Sequence, residues 1–196
     1  MDFQGSQLLQ HPAPTVWRAL MDPAVLQQCI AGCEKFEHLG GDDYSSTVKV
    51  NIGPVAARFT SKLSLSDLVE PTSCSLHFSG QGGVAGFGKG TAKLQLVQAE
   101  AGQTQLNWTA QAQVGGKLAQ IGSRLVEGSV RKMSDDFFAK LAAYLNASPA
   151  EAAKASEAAL QNRAADVLSE KRSTRLLWML GGVVTLLAWA LLVWLN

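Results

Sequence analysis

The chain has 196 residues, room for one domain of ordinary size and a further segment. Its net charge is +1 and only 17% of its residues are charged, which excludes the basic stripe a nucleic-acid partner needs. Three cysteines (Cys29, Cys33, Cys74) and three scattered histidines (His11, His38, His77) form neither a CxxC redox pair nor a zinc set. They read as reduced small hydrophobes and as turn or strand-surface residues.

The N-terminus lacks the basic start and apolar run of a secretory signal. Residues 2–10 read as a first strand, stopped by His11-Pro12-Ala13-Pro14. Thr15 to Leu20 is a short helix, and Asp22-Pro23 caps and opens a second one that runs to about Cys29. Ile30 to Cys33 is a break. Six strands are then expected. Glu34–Leu39 ends at the turn Gly40-Gly41-Asp42-Asp43, and Tyr44–Val50 ends at Gly53-Pro54. Val55 to Leu65 alternates apolar and polar residues, with Phe59 and Leu63 on the inner side. Glu70-Pro71-Thr72 breaks that run. Cys74, Leu76, Phe78 and Gly80 share the inner side of the next strand. In the last strand Leu106, Trp108, Ala110, Ala112 and Val114 face inward and every outward residue is polar and uncharged.

Between the last strands lies Gly80-Gln-Gly-Gly-Val-Ala-Gly-Phe-Gly-Lys-Gly90. Gly83 to Lys89 spells GxxxxGK, but Gly90 replaces the Ser or Thr of a phosphate loop, and a strand pattern follows instead of a helix. The glycines mark a bend or a close approach, with Gly88 and Gly90 on the inner face. Either the helix packs tightly there or the sheet opens into a cavity.

Gly115-Gly116 turns the chain into a helical pattern from Lys117 to Leu145. Leu118, Ile121, Leu125, Val126, Val130, Met133, Phe137, Leu141 and Leu145 form one apolar face, which predicts a single long helix across the sheet. Asp135-Asp136 belongs to its wet side. No Ser–His–Asp set, inner carboxylate pair or metal spacing accompanies these elements, which points to binding rather than catalysis.

Residues 146–174 are rich in Ala, Glu and Lys and read as a linker. Leu176 to Leu195 is twenty residues without a charge, about 30 Å as a helix, with Trp178 and Trp194 near its ends. Lys171, Arg172 and Arg175 lie on its N-terminal side. Residues 175–196 are therefore expected to be a single-pass tail anchor in the cytoplasmic membrane, with the folded domain, residues 1–145, in the cytoplasm.

Five stretches carry a family resemblance: His11-Pro-Ala-Pro-Thr-Val-Trp17, Asp22-Pro23, Cys29-Ile-Ala-Gly-Cys33, Gly86-Phe-Gly-Lys-Gly-Thr-Ala92 and Val114-Gly-Gly-Lys-Leu-Ala-Gln-Ile-Gly-Ser-Arg-Leu125. Over residues 1–145 the chain resembles the carbon monoxide dehydrogenase CoxG family, within the START-like (SRPBCC) superfamily. Ala31 stands where a proline is expected, and a single Pro71 where a pair is common. The resemblance implies an α+β helix-grip fold, a seven-stranded antiparallel sheet wrapped on a long C-terminal helix with an apolar cavity between them. Phe59, Leu63, Phe78, Trp108, Leu118, Ile121 and Leu125 are the expected wall of that cavity. The resemblance also implies a non-enzymatic accessory protein that recruits a molybdenum-containing carbon monoxide dehydrogenase, or a related hydroxylase, to the membrane. With no covalent cofactor, the expected ligand is a lipophilic small molecule, a quinone. The alternative is a START-like enzyme or a general lipid carrier.

Overall fold

A computed structural model describes residues 1–147, so the expected linker beyond Ala147 and the apolar tail lie outside the described residues. The elements in order are β1 (Asp2–Leu9), α1 (Ala13–Met21), α2 (Pro23–Cys29), β2 (Cys33–Gly40), β3 (Asp43–Ile52), β4 (Val55–Val69), β5 (Ser73–Gln81), β6 (Phe87–Gln98), β7 (Thr104–Gly115), α3 (Lys117–Gln120) and α4 (Ser123–Asn146). The seven strands form one antiparallel sheet in the order β1-β7-β6-β5-β4-β3-β2. Strands β2 to β7 are a meander of neighbours joined by short turns, and β1 closes the sheet against β7. This is the expected α+β architecture.

Local chemistry sets the corners. Gly53 at the β3–β4 turn and Gly116 after β7 take positive φ, which side chains disfavour. At Gly116 the backbone also lies against Gly86, so even a methyl group would collide with main chain. The Asp22 carboxylate accepts a 2.8 Å hydrogen bond from the Ala24 amide and starts α2, as Asp-Pro predicts.

The main core sits at one end of the sheet. Leu9, Val16, Trp17, Leu106 and Leu141 are almost fully buried there, bringing β1, α1, β7 and the last turns of α4 together. Thr104 closes this core with a 2.7 Å hydrogen bond from its hydroxyl to the His11 carbonyl. Arg58 and Glu34 form a two-pronged pair on the wet face, at 2.6 and 3.0 Å. The Arg58 hydrogen bond holds the Glu34 carboxyl below its ordinary range, but so exposed a pair contributes little to stability.

One expectation is corrected. The helix does not run unbroken from Lys117. It stops at Ile121 and restarts at Ser123, because Gly122 adopts φ +89°, outside the helical region. Among the described residues no helix is long and apolar enough to cross a membrane.

Candidate ligand cavity

Three cross-strand rows build the floor of a cavity. The register places Tyr44 opposite Leu63, Leu65 opposite Leu76 and then Ala92, and Cys74 opposite Leu94 and then Trp108. All point to the inner face, as the alternation requires. Leu20 and Met21 of α1, Leu26 of α2, Ile30, and Phe137 and Phe138 of α4 roof them over. The cavity volume is about 260 Å³. A core packed to ordinary density leaves few voids larger than a water molecule. This one persists because α4 is held off the sheet by rings and because the middle row passes through Ala92, a side chain too short to fill it.

Lys93 is the one charged residue along the wall. Burial raises the Cys74 thiol above its ordinary range; burial, and then the charge of Asp42, do the same for the Tyr44 hydroxyl. Both stay protonated at neutral pH. No carboxylate or imidazole lines the cavity, and among the described residues no His, Cys, Asp and Glu cluster could hold a metal. The three cysteines are free thiols. His11, His38 and His77 are engaged with Asn146, the Gly41 carbonyl and Ser66, respectively. Such a wall can hold an apolar molecule.

A second, outer groove of about 310 Å³ adjoins the cavity, lined by Ile30, Ala31, Val130, Met133 and Ser134. Ile30, Trp108, Phe137 and Phe138 border both spaces. The Phe137 and Phe138 rings meet edge-on at 5.2 Å, and Trp108 lies 6.4 Å from Phe138. A larger depression of about 570 Å³ lies over Asp2, Lys89, Gln111 and Gln113. It is open to solvent, and charged and amide side chains stand in its lining beside Phe78 and Ala112.

The seven residues expected in the wall separate into groups. Leu63 and Trp108 line the cavity. Phe59, Leu118 and Ile121 do come together, but in a second apolar cluster with Ile52 and Ala85, under α3. That cluster is solid: Gly82 lies flat against the Phe59 ring with no room for a Cβ. Phe78 shares a row with Leu63 but stands over Gly90. Leu125 is 48% exposed, on the first turn of α4 near Gly53. The question left open by the glycine run has two answers. Gly90 is closely covered by Phe78, whereas a side chain at Gly88 would meet nothing within 4 Å.

The profile of the carbon monoxide dehydrogenase CoxG family matches residues 5–146. The chain belongs to the CoxG family. No curated protein matches it by sequence. Among solved structures, a conserved protein from Geobacillus kaustophilus is 32% identical with a TM-score of 0.70, over 74% of this chain and 95% of that one. A START superfamily protein from Mycobacterium smegmatis has a TM-score of 0.58 at 12% identity, over 74% of this chain and 96% of its own. The Zhui aromatase/cyclase from a Streptomyces species has a TM-score of 0.57 at 14% identity, over 74% and 93%. At those lower identities the likeness is one of fold alone, and the CoxG chain shares a START-like architecture with both.

Proposed function

We propose that this CoxG-family protein is a membrane-anchored, non-enzymatic accessory of a molybdenum-containing carbon monoxide dehydrogenase or a related hydroxylase. It tethers that enzyme to the cytoplasmic membrane and presents a lipophilic electron carrier, a quinone, to it. The observation that carries the reading is the roughly 260 Å³ cavity with an almost wholly apolar wall, inside a chain whose family is named for a dehydrogenase. An unfilled space of this size costs stability because its lining lacks contact partners, and an apolar guest restores them. The uncharged stretch Leu176–Leu195 supports the membrane part of the reading. The lack of a carboxylate or imidazole in the wall weighs against a START-like enzyme.

Cell fractionation tests the tether. With the protein intact, the partner dehydrogenase sediments with membranes. In cells producing a form that lacks residues 175–196, it moves to the soluble fraction. An unchanged membrane share would overturn the tether, leaving the cavity to be explained by lipid carriage alone.

A further inference from the structure

Resting on the carrier reading above, we propose that the lipid is held tail first: its hydrocarbon chain fills the inner cavity, and its planar polar head rests outside, against the aromatic boundary of Trp108, Phe137 and Phe138. Three observations lead there.

The first is chemistry. The cavity wall is aliphatic and aromatic around nearly its whole circumference, and its thiol, Cys74, is a weak hydrogen-bond donor. A carbonyl-bearing ring placed inside would lose its hydrogen bonds to water and regain few, whereas a hydrocarbon chain loses nothing on entry. Two wall residues carry strong polar groups: Lys93 is out of phase with the inward Ala92 and Leu94, and Tyr44 stands at the rim, where it also borders the surface groove of Lys62 and His77.

The second is size. About 260 Å³ falls just under the roughly 300–1,000 Å³ typical of pockets that swallow a whole drug-sized ligand. A ring with a long chain cannot fit entirely, so one end must stay out, and desolvation selects the ring.

The third is the exit. The inner cavity and the outer groove share Trp108, Phe137 and Phe138. Aromatic faces and edges at this boundary suit a flat ring, which stacks against them without needing a matched donor. The groove beyond is flanked by Ile30-Ala31 and by Met133 and Ser134. A head parked there is reachable by a partner protein while the chain stays sheltered.

Photo-crosslinking of the full chain in lipid nanodiscs tests this, with two probes built on a benzoquinone bearing a three-isoprene tail. One carries a diazirine at the far end of the tail, the other a diazirine on the ring. Peptide mapping by mass spectrometry is expected to place tail-end adducts on Leu65, Leu76 and Leu94, and ring adducts on Ile30, Met133 and Phe137. Unlabelled farnesyl chain lacking a ring should abolish both adduct sets, and a tail-less benzoquinone should abolish neither. Ring adducts on Leu63, Leu65 or Tyr44, with the tail label outside, would overturn the orientation while leaving the carrier reading intact. Labelling no stronger than in the heat-denatured chain would overturn both.

Discussion

Replacing Ala92 with Leu separates a hollow domain from a solid one by the sign of its effect. Ala92 faces the cavity between Leu76 and Ala110 in the middle row of the sheet. The substitution adds three carbons to a space of about 260 Å³. At about 0.8 kcal/mol for each buried methylene, the gross gain is about 2.4 kcal/mol. Fixing the leucine rotamer takes back about 0.5–1 kcal/mol. The net is a stabilisation of about 1.5–2 kcal/mol, which for a chain of this length raises Tm by roughly 3–8 °C. The same substitution in a filled core would cost about 1–3 kcal/mol and lower Tm. The assay is a thermal melt of delipidated full chain in mild detergent, with and without a short-tailed prenyl benzoquinone. In the original sequence a probe at a hundred times its Kd stabilises by about 2.7 kcal/mol. In the Ala92→Leu form that ligand-induced shift should shrink, because the guest's volume is taken. A fall in the ligand-free Tm, or an undiminished ligand shift, would refute the reasoning.

Two glycine substitutions are expected to act in opposite directions. Gly86→Ala should strongly destabilise or prevent folding, because its φ is +110° and a Cβ would run into the Gly115–Gly116 backbone. Gly128→Ala should stabilise by roughly 0.5–1 kcal/mol, because Gly128 is inside α4 with nothing within 4 Å of a Cβ; melts of both variants check the pair. Deleting residues 175–196 should give a soluble protein with native-like circular dichroism, since the sheet and its helices complete themselves within the described residues; an aggregated product would contradict this. Arg58→Gln should return the Glu34 carboxyl to its ordinary range in an NMR titration. Because Glu34 titrates low in the folded state, its contribution is present at neutral pH and lost as pH falls through that lowered value, so the variant's deficit should vanish in acid.

Much of the fold was legible in the chain because strands with one wet face announce themselves by alternation. Val55–Leu65 and Thr104–Val114 gave inside and outside correctly, and Asp22-Pro23 gave a helix start. Position along a strand was not legible in the same way. Phe59 and Leu63 share the inner face of β4, yet four residues at about 3.3 Å each set them about 13 Å apart. That distance puts one in the solid cluster under α3 and the other in the cavity wall. The same limit hid the contributions of Leu20, Leu26, Phe137 and Phe138, since period gives a helix face but not the strand it covers. The break at Gly122 had a signal, an isolated glycine in a helical pattern, which the continuous apolar spacing on either side outweighed. Leu125 fell on the expected face by count, and the restart of the helix after that break leaves it half exposed.

The most direct test of the account is what the protein carries. Full chain purified in mild detergent from its native host is extracted with organic solvent, and the extract is analysed by mass spectrometry beside the Ala92→Leu variant. A prenylated quinone, near one per chain, is expected from the original sequence, and a marked reduction from the variant. No lipophile above the level of the detergent blank, together with no Tm shift on adding quinone, would contradict it.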